Sequence, residues 1–143
     1  MKISLITATY NCEETLGDCL ESVASQTHDD IEHWVIDGGS TDGTVASVES
    51  RRQQLAGVVS EPDEGTYDAL NKGLARVTGE VVGLLHADDV FADATVLSQV
   101  AAAFEDPAVE AVYGDLMYVA RDDASRVIRH WQAGAFAPER LRW

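Results

Sequence analysis

The sequence predicts an α/β fold with a mainly parallel sheet covered by helices on both faces. Apolar, β-rich runs alternate with helix-periodic segments, and the connections between them are short. Three polar clusters, Thr9 to Asn11, Asp37 to Asp42 and Asp88 to Asp89, each follow such a run at its carboxyl end. Ligands of open parallel sheets bind outside the carboxyl ends of the strands, so three clusters on one edge predict a site there.

Taken in order, Lys2 to Ala8 is an apolar strand that runs into Thr9, Tyr10 and Asn11. Leu16, Leu20, Val23 and Ala24 then recur at helical spacing and predict a helix over Glu13 to Ser25. Ile31 to Ile36 predicts a second strand, followed by the turn-rich loop from Asp37 to Gly43 and a helix from about Thr44 to Gln54. Val58 to Ser60 is a short third strand, and Pro62 and Gly65 make Glu61 to Gly65 a loop. Tyr67, Leu70, Leu74 and Val77 predict a helix over Thr66 to Val77, weakened by Gly73. Glu80 to Leu85 is the fourth strand, Ala92 to Glu105 a helix stopped by Asp106 and Pro107, and Ala111 to Gly114, Met117 to Ala120 and Arg126 to Trp131 are further short strands. Gly134 to Pro138 is loop-like, and Leu141 to Trp143 carries no capping signal, which reads as a fold interrupted before its end.

A chain of 143 residues with 45% hydrophobic and 24% charged residues has the composition of one globular domain with a real core. Its 25 acidic residues against 10 basic ones give a net charge of −15, which argues against a nucleic-acid backbone as partner. A single nucleotide stays admissible if a metal neutralises its phosphates. Cys12 and Cys19 fall on one predicted helix about two turns, roughly 10 Å, apart, too far for a disulfide, so reduced thiols in a cytoplasmic protein are expected. No apolar run is long enough for a transmembrane segment.

Two adjacent carboxylates at the mouth of an apolar strand repel each other unless a cation or hydrogen-bond donors meet them. Asp88 and Asp89 therefore suggest a hard divalent cation, Mg²⁺ or Mn²⁺, or else a helix cap beside a solvated acid. Asp37 admits two readings, a ligand-facing acceptor beside close-approach glycines or a turn-forming Asp. Tyr10 can stack on a planar base or line its loop. Asp42 and Thr44 look like helix caps. Asp68, Asn71 and Lys72 share one side of their helix, where Lys72 can meet a phosphate or hold Asp68. His86 shares a face with Asp88 if the strand continues that far, although a non-ligand role is favoured for it. The sequence holds no GxxxxGK[ST], no GxGxxG and no GxSxG, so a P-loop, a Rossmann dinucleotide site and a hydrolase elbow are set aside.

Four blocks, ISLITATYN, VIDGGSTDGT, SEPDEGTYDALNKGLARVTGE and VGLLHADD, lie in this order between residues 3 and 89. In them the chain resembles the family 2 glycosyltransferases, and among these the bacterial group that builds capsules and exopolysaccharides. The resemblance implies a GT-A (Rossmann-like) three-layer sandwich, here one nucleotide-sugar-binding domain over residues 1 to 143, incomplete at the C-terminus with the acceptor-binding part missing. It implies a nucleotide-sugar site in which Thr9 and Tyr10 lie against the base, Asp37 reads its polar edge, Asp68, Asn71 and Lys72 border the diphosphate and donor sugar, and Asp88 approaches the ribose. Asp88 and Asp89 would hold a divalent cation (Mg or Mn) across the two phosphates of a UDP- or GDP-sugar. His86 stands where the family often has an acid or Asn, which leaves ligation from that position in doubt. The activity implied is inverting sugar transfer to a glycan or lipid-linked acceptor, in the cytoplasm or peripherally at the inner membrane face. No residue matches the family's general base, since Asp115, Asp122 and Asp123 come too early. That base is expected beyond Trp143, which makes the chain a donor-binding portion of the enzyme. A noncatalytic nucleotide-sugar-binding module is the alternative; a nucleotidyltransferase is disfavoured because TATYN replaces the basic, glycine-rich loop it needs. An incomplete sheet should also favour self-association.

Overall fold

The computed structural model describes residues 1–136, so Leu141 to Trp143 and the end of the Gly134 to Pro138 stretch lie outside the described residues. The chain forms two compact units, Met1–Ala102 and Ala103–Trp143. The first holds strands β1 (Ile3–Thr9), β2 (Ile31–Asp37), β3 (Gly57–Ser60) and β4 (Val81–Leu84) in one parallel sheet of order β3-β2-β1-β4. Helices α1 (Leu16–Ala24), α2 (Thr44–Ser50) and α3 (Thr66–Leu74) connect them, and α4 (Val96–Ala103) follows β4.

Alternation along the strands divides the core between the two faces. Ile3 and Leu5 face Cys19 and Val23 of α1 and Leu97 of α4, and Val35 faces Leu16 and Leu20 of α1 and Val48 of α2. Ile6 and Ile36 face the opposite way, onto Ala69 and Leu70 of α3. The result is the helix–sheet–helix layering expected from the alternation of elements. α1 forms because Leu16, Cys19, Leu20 and Val23 fall on one stripe, and all four are buried.

Several boundaries differ from the sequence reading for local reasons. α1 starts at Leu16 rather than Glu13 because the backbone turns first, with the Thr15 and Leu16 N–H groups both donating to Cys12 O. Cys12 thus precedes the helix instead of sharing it with Cys19, and both thiols are free. α2 ends at Ser50, with Arg52–Gln54 winding as a separate 3-10 turn. α3 ends at Leu74, three residues after Asn71, in a turn whose Arg76 and Val77 N–H groups both donate to Gly73 O. α4 starts at Val96 because Asp93 accepts from both the N–H and the hydroxyl of Thr95, a local turn that competes with the helix. β4 ends at Leu84, so His86 and Asp88 are not strand residues and strand alternation does not put them on one face.

The second unit contains an antiparallel pair, β5 (Leu116–Ala120) and β6 (Asp123–Trp131). The predicted strand Ala111 to Gly114 does not form; its residues pair with no ladder. Tyr118, Ile128 and Trp131 of this hairpin are exposed. Among the described residues no helix is long and apolar enough to cross a membrane.

His33 sits in the middle of β2, buried, with Nε2 2.9 Å from Thr7 Oγ1 on β1. Burial disfavours the imidazolium and pushes the His33 pKa from 6.5 down to about 4. Between those values the unfolded chain binds more protons than the folded one, so this contribution to stability is full above pH 6.5 and is lost as the pH falls toward 4. Urea denaturation at pH 7 and pH 4 should therefore differ by about 3 kcal/mol through this residue, and His33→Gln should remove that part of the pH dependence.

Candidate functional site

The carboxyl edge of the sheet carries an open cleft of about 680 Å³, within the size range of small-molecule sites. Three connections build it: Thr9, Tyr10 and Cys12 after β1, Gly38 and Gly39 after β2, and His86 to Asp88 after β4. Pro62, Asp63 and Gly65, with Thr66 and Ala69 of α3, form the remaining wall. The first two loops are laced together. Asn11 adopts a left-handed φ of 51°, which asparagine tolerates, and its Oδ1 accepts from Thr41 N–H at 2.9 Å. Its own N–H donates to Ser40 Oγ at 2.8 Å, and Cys12 N–H donates to the buried Thr44 Oγ1 at 2.8 Å. Asp42 accepts from the N–H of Thr44, the first residue of α2, at 3.0 Å, while the N-cap position itself is Gly43 and makes no side-chain cap bond, so Thr44 braces the β1 loop instead of capping its helix.

Thr9, Asp37 and Ser60 lie side by side in register at the ends of β1, β2 and β3. Asp37 is 1% exposed. Its Oδ2 accepts from Gly39 N–H at 3.2 Å, Ser40 N–H at 3.1 Å and Ser60 Oγ at 2.6 Å, and its Oδ1 accepts from Ser40 Oγ. Both oxygens accept from the loop and its neighbours, the contacts of a turn-forming Asp, with Oδ1 taking one donor and Oδ2 three. Gly39 follows with φ +83°, its backbone pressed near Pro62, a conformation and a space that suit glycine. Tyr10, by contrast, is 60% exposed and lines the cleft. Thr9 Oγ1 is buried at the cleft wall with no hydrogen-bond partner among the described residues.

His86 to Asp89 form a turn closed by the Asp89 N–H donating to His86 O at 3.0 Å. The Cys19 thiol donates to the same carbonyl at 3.4 Å, tying the turn to α1. Burial, then the charges of Asp89 and Asp88, push the Cys19 pKa up to about 12, against a hydrogen bond with Thr7. Asp88 lines the cleft and Asp89 lies beside it in the turn. Burial and the neighbouring Asp88 charge hold the Asp89 carboxyl above the usual carboxylate range, with His86 opposing them. Among the described residues neither acid is paired with a Lys or Arg.

The helix residues are placed differently. Asp68 accepts from Glu64 N–H at 3.3 Å, bracing the start of α3 from its first turn. Lys72 reaches Glu61 at 3.0 Å, Asp68 at 3.3 Å and Pro62 O at 3.1 Å, so it pins the Glu61 to Gly65 loop onto α3. Asn71 is exposed. None of these three lines the cleft, which touches α3 only through Thr66 and Ala69. Asp63 does line it and is absent from the sequence-predicted site; the first glycine of IDGG, Gly38, where a side chain would meet the Asp63 carboxylate, was the available signal.

Among the described residues no three His, Cys, Asp or Glu side chains group as a metal site. Two adjacent, unpaired carboxylates on a turn nevertheless suit a hard cation that draws its other oxygens from a ligand. The donor set fits Mg²⁺ or Mn²⁺ bound together with phosphates, and does not fit a metal held by protein alone.

The family model for glycosyl transferase family 2 matches residues 4–142. The chain belongs to this family. An uncharacterized glycosyltransferase of Mycobacterium tuberculosis is 39% identical over 113 residues, which is 78% of this chain and 40% of that protein. The family 2 chain therefore spans less than half the length of this curated relative. S. aureus TarS 1-349, solved in complex with UDP-GlcNAc, superposes with TM-score 0.65 and 34% identity over 75% of this chain and 32% of its own. The mannosyltransferase PcManGT from Pyrobaculum calidifontis, solved with GDP-Man and Mn²⁺, gives TM-score 0.66 and 29% identity over 82% of this chain and 35% of its own. The parallel four-stranded sheet between helix layers is that of the GT-A glycosyltransferases.

Proposed function

We propose that this chain is the donor-binding portion of an inverting sugar transferase that uses a nucleoside-diphosphate sugar of the UDP or GDP class. One observation carries the reading: an open cleft at the carboxyl edge of the sheet with two acids at its rim, Asp88 and Asp89, that pair with no Lys or Arg among the described residues. The UDP-GlcNAc bound to TarS, and the GDP-Man and Mn²⁺ bound to PcManGT, support the same ligand chemistry.

In this reading Tyr10 covers one face of the base and Thr9 closes the wall behind it. Asp37 acts indirectly, by shaping the Gly38 to Ser40 loop. Asp88 and Asp89 would hold the cation through carboxylate oxygens. A divalent cation at that position supplies neutralising charge to the departing nucleoside diphosphate. The N-terminus of α3, whose cap residue Gly65 has no side-chain oxygen, opens on the cleft and directs backbone N–H groups there. Lys72 and Asp68 serve by fixing that helix end and its loop rather than by touching the donor. The base that deprotonates the acceptor hydroxyl is assigned to no residue of this chain. The acceptor is a glycan or a lipid-linked glycan of exopolysaccharide assembly, made at the cytoplasmic face.

Calorimetric titration with UDP and with GDP, each with Mn²⁺ or with EDTA, tests the proposal. Binding of at least one nucleotide that requires Mn²⁺ is expected. Equal affinity in EDTA, or no binding of either, contradicts it.

A further inference from the structure

We infer that helix α1 positions the acid turn of the cleft: a polar stripe of Cys19, Ser22 and Gln26 holds the segment that carries Asp88 and Asp89 in the shape that takes the cation. The inference rests on the donor reading above and adds the residues that keep its metal-holding geometry.

β4 ends at Leu84 and α4 begins at Val96, and residues 85–95 between them form neither helix nor strand. The backbone groups of such a segment have no ladder to satisfy them and must find partners elsewhere. They find them on α1. Cys19, Ser22 and Gln26 follow one another at helical spacing, which places them along one side of the helix and the turn that ends it. The Cys19 thiol donates to His86 O at 3.4 Å, Ser22 Oγ accepts from Phe91 N–H at 3.3 Å, and Gln26 Nε2 donates to Asp93 O at 2.7 Å. Gln26 Oε1 accepts from Leu97 N–H at 3.0 Å, in the first turn of α4, and Thr27 N–H donates to Ala94 O at 2.7 Å. Apart from the local turns closed by Asp89 and Thr95, every hydrogen bond of residues 86–94 among the described residues goes to residues 19–27. Phe91 packs on the apolar cluster that holds Cys19, Val23 and Leu97, so burial presses the same segment onto the same helix.

Two adjacent ionised carboxylates repel and gain nothing from lying together until a cation arrives. A loose turn would let them part, and the cation would lose affinity in drawing them back. Here the chain is anchored at His86 before the pair and at Phe91 and Asp93 behind it, so the turn is fixed at both ends. None of the three stripe residues lines the cleft, which makes them positioning residues that act through the turn. Contacts that orient metal-holding groups are typically worth about 10- to 100-fold in metal affinity.

The test titrates Mn²⁺, followed by its electron paramagnetic resonance signal, into equimolar chain and UDP or GDP. Gln26→Ala and Ser22→Ala should each raise the Mn²⁺ concentration at half-saturation about tenfold, whereas Ser22→Thr keeps the hydroxyl and should stay within about threefold of the wild type. Val77→Ala thins the core on the opposite face of the sheet; it should lower the urea midpoint and leave the Mn²⁺ requirement unchanged. In the metal-free chain, hydrogen exchange should quicken at Phe91 N–H in Ser22→Ala and at Leu97 N–H in Gln26→Ala. If Gln26→Ala does not fold, Ser22→Ala against Ser22→Thr decides. An unmoved Mn²⁺ requirement in the alanine variants, or one that Val77→Ala moves as far, overturns the inference, while Mn²⁺-dependent binding by the wild type leaves the donor reading intact. A wild type that binds neither nucleotide with Mn²⁺ overturns the donor reading and this inference with it.

Discussion

Asp37→Ala is expected to lower the unfolding free energy by about 3 kcal/mol, because it leaves buried donors without an acceptor. The carboxylate collects Gly39 N–H, Ser40 N–H and the hydroxyls of Ser40 and Ser60, and Asp37 itself is fully buried. Removing the acceptor strands these donors and unties the β2 loop from the end of β3. Nucleotide binding should fall with it, since Gly38 and Gly39 line the cleft. Asp37→Asn keeps one oxygen for the backbone donors, and the serine hydroxyls can rotate to accept, so about 1 kcal/mol is expected. Urea denaturation separates the two roles. A variant that keeps its midpoint but loses binding would make Asp37 a direct ligand contact instead of a loop-builder.

Asp89→Ala should show the opposite pattern. Affinity for a nucleoside diphosphate in Mn²⁺ is expected to drop about 100-fold, or about 2.8 kcal/mol, because only Asp88 would remain to hold the cation. Stability without metal should not fall. The Asp89 carboxyl is raised in the fold by burial and by Asp88, so at neutral pH its ionised form disfavours folding, a penalty relieved as the pH drops. Removing the group should leave the denaturation midpoint unchanged or slightly higher in EDTA. Equal losses of binding and stability would mean that Asp89 serves the turn and not a ligand.

The sheet, its order of elements and the edge that carries the site were legible because buried parallel strands and amphipathic helices impose different periods on the sequence. Leu16, Leu20 and Val23 marked α1, and the apolar run before Asp88 marked β4. What the pattern could not supply was the destination of each polar side chain. Asp37 and Asp63 both follow apolar or turn-forming residues, yet Asp37 collects three donors from its own loop and a fourth from Ser60 at the end of β3, whereas Asp63 takes the N–H of Gly65. Lys72 is adjacent to Asn71 in sequence, but Glu61 and Asp68 lie within reach and draw its ammonium away from the cleft. His86 is a turn residue because β4 stops at Leu84, a boundary that continued apolar sequence hid.

In the proposed function a cation and a diphosphate meet at Asp88 and Asp89. Paramagnetic broadening by Mn²⁺, read on the backbone amides of the labelled chain with and without UDP or GDP, tests it most directly. With nucleotide present, loss of signal should centre on His86 to Asp89 and extend to Tyr10 and Gly38. Broadening centred instead on Glu61, Asp63 and Asp68, or spread evenly over a chain of net charge −15 and indifferent to nucleotide, would contradict the claim.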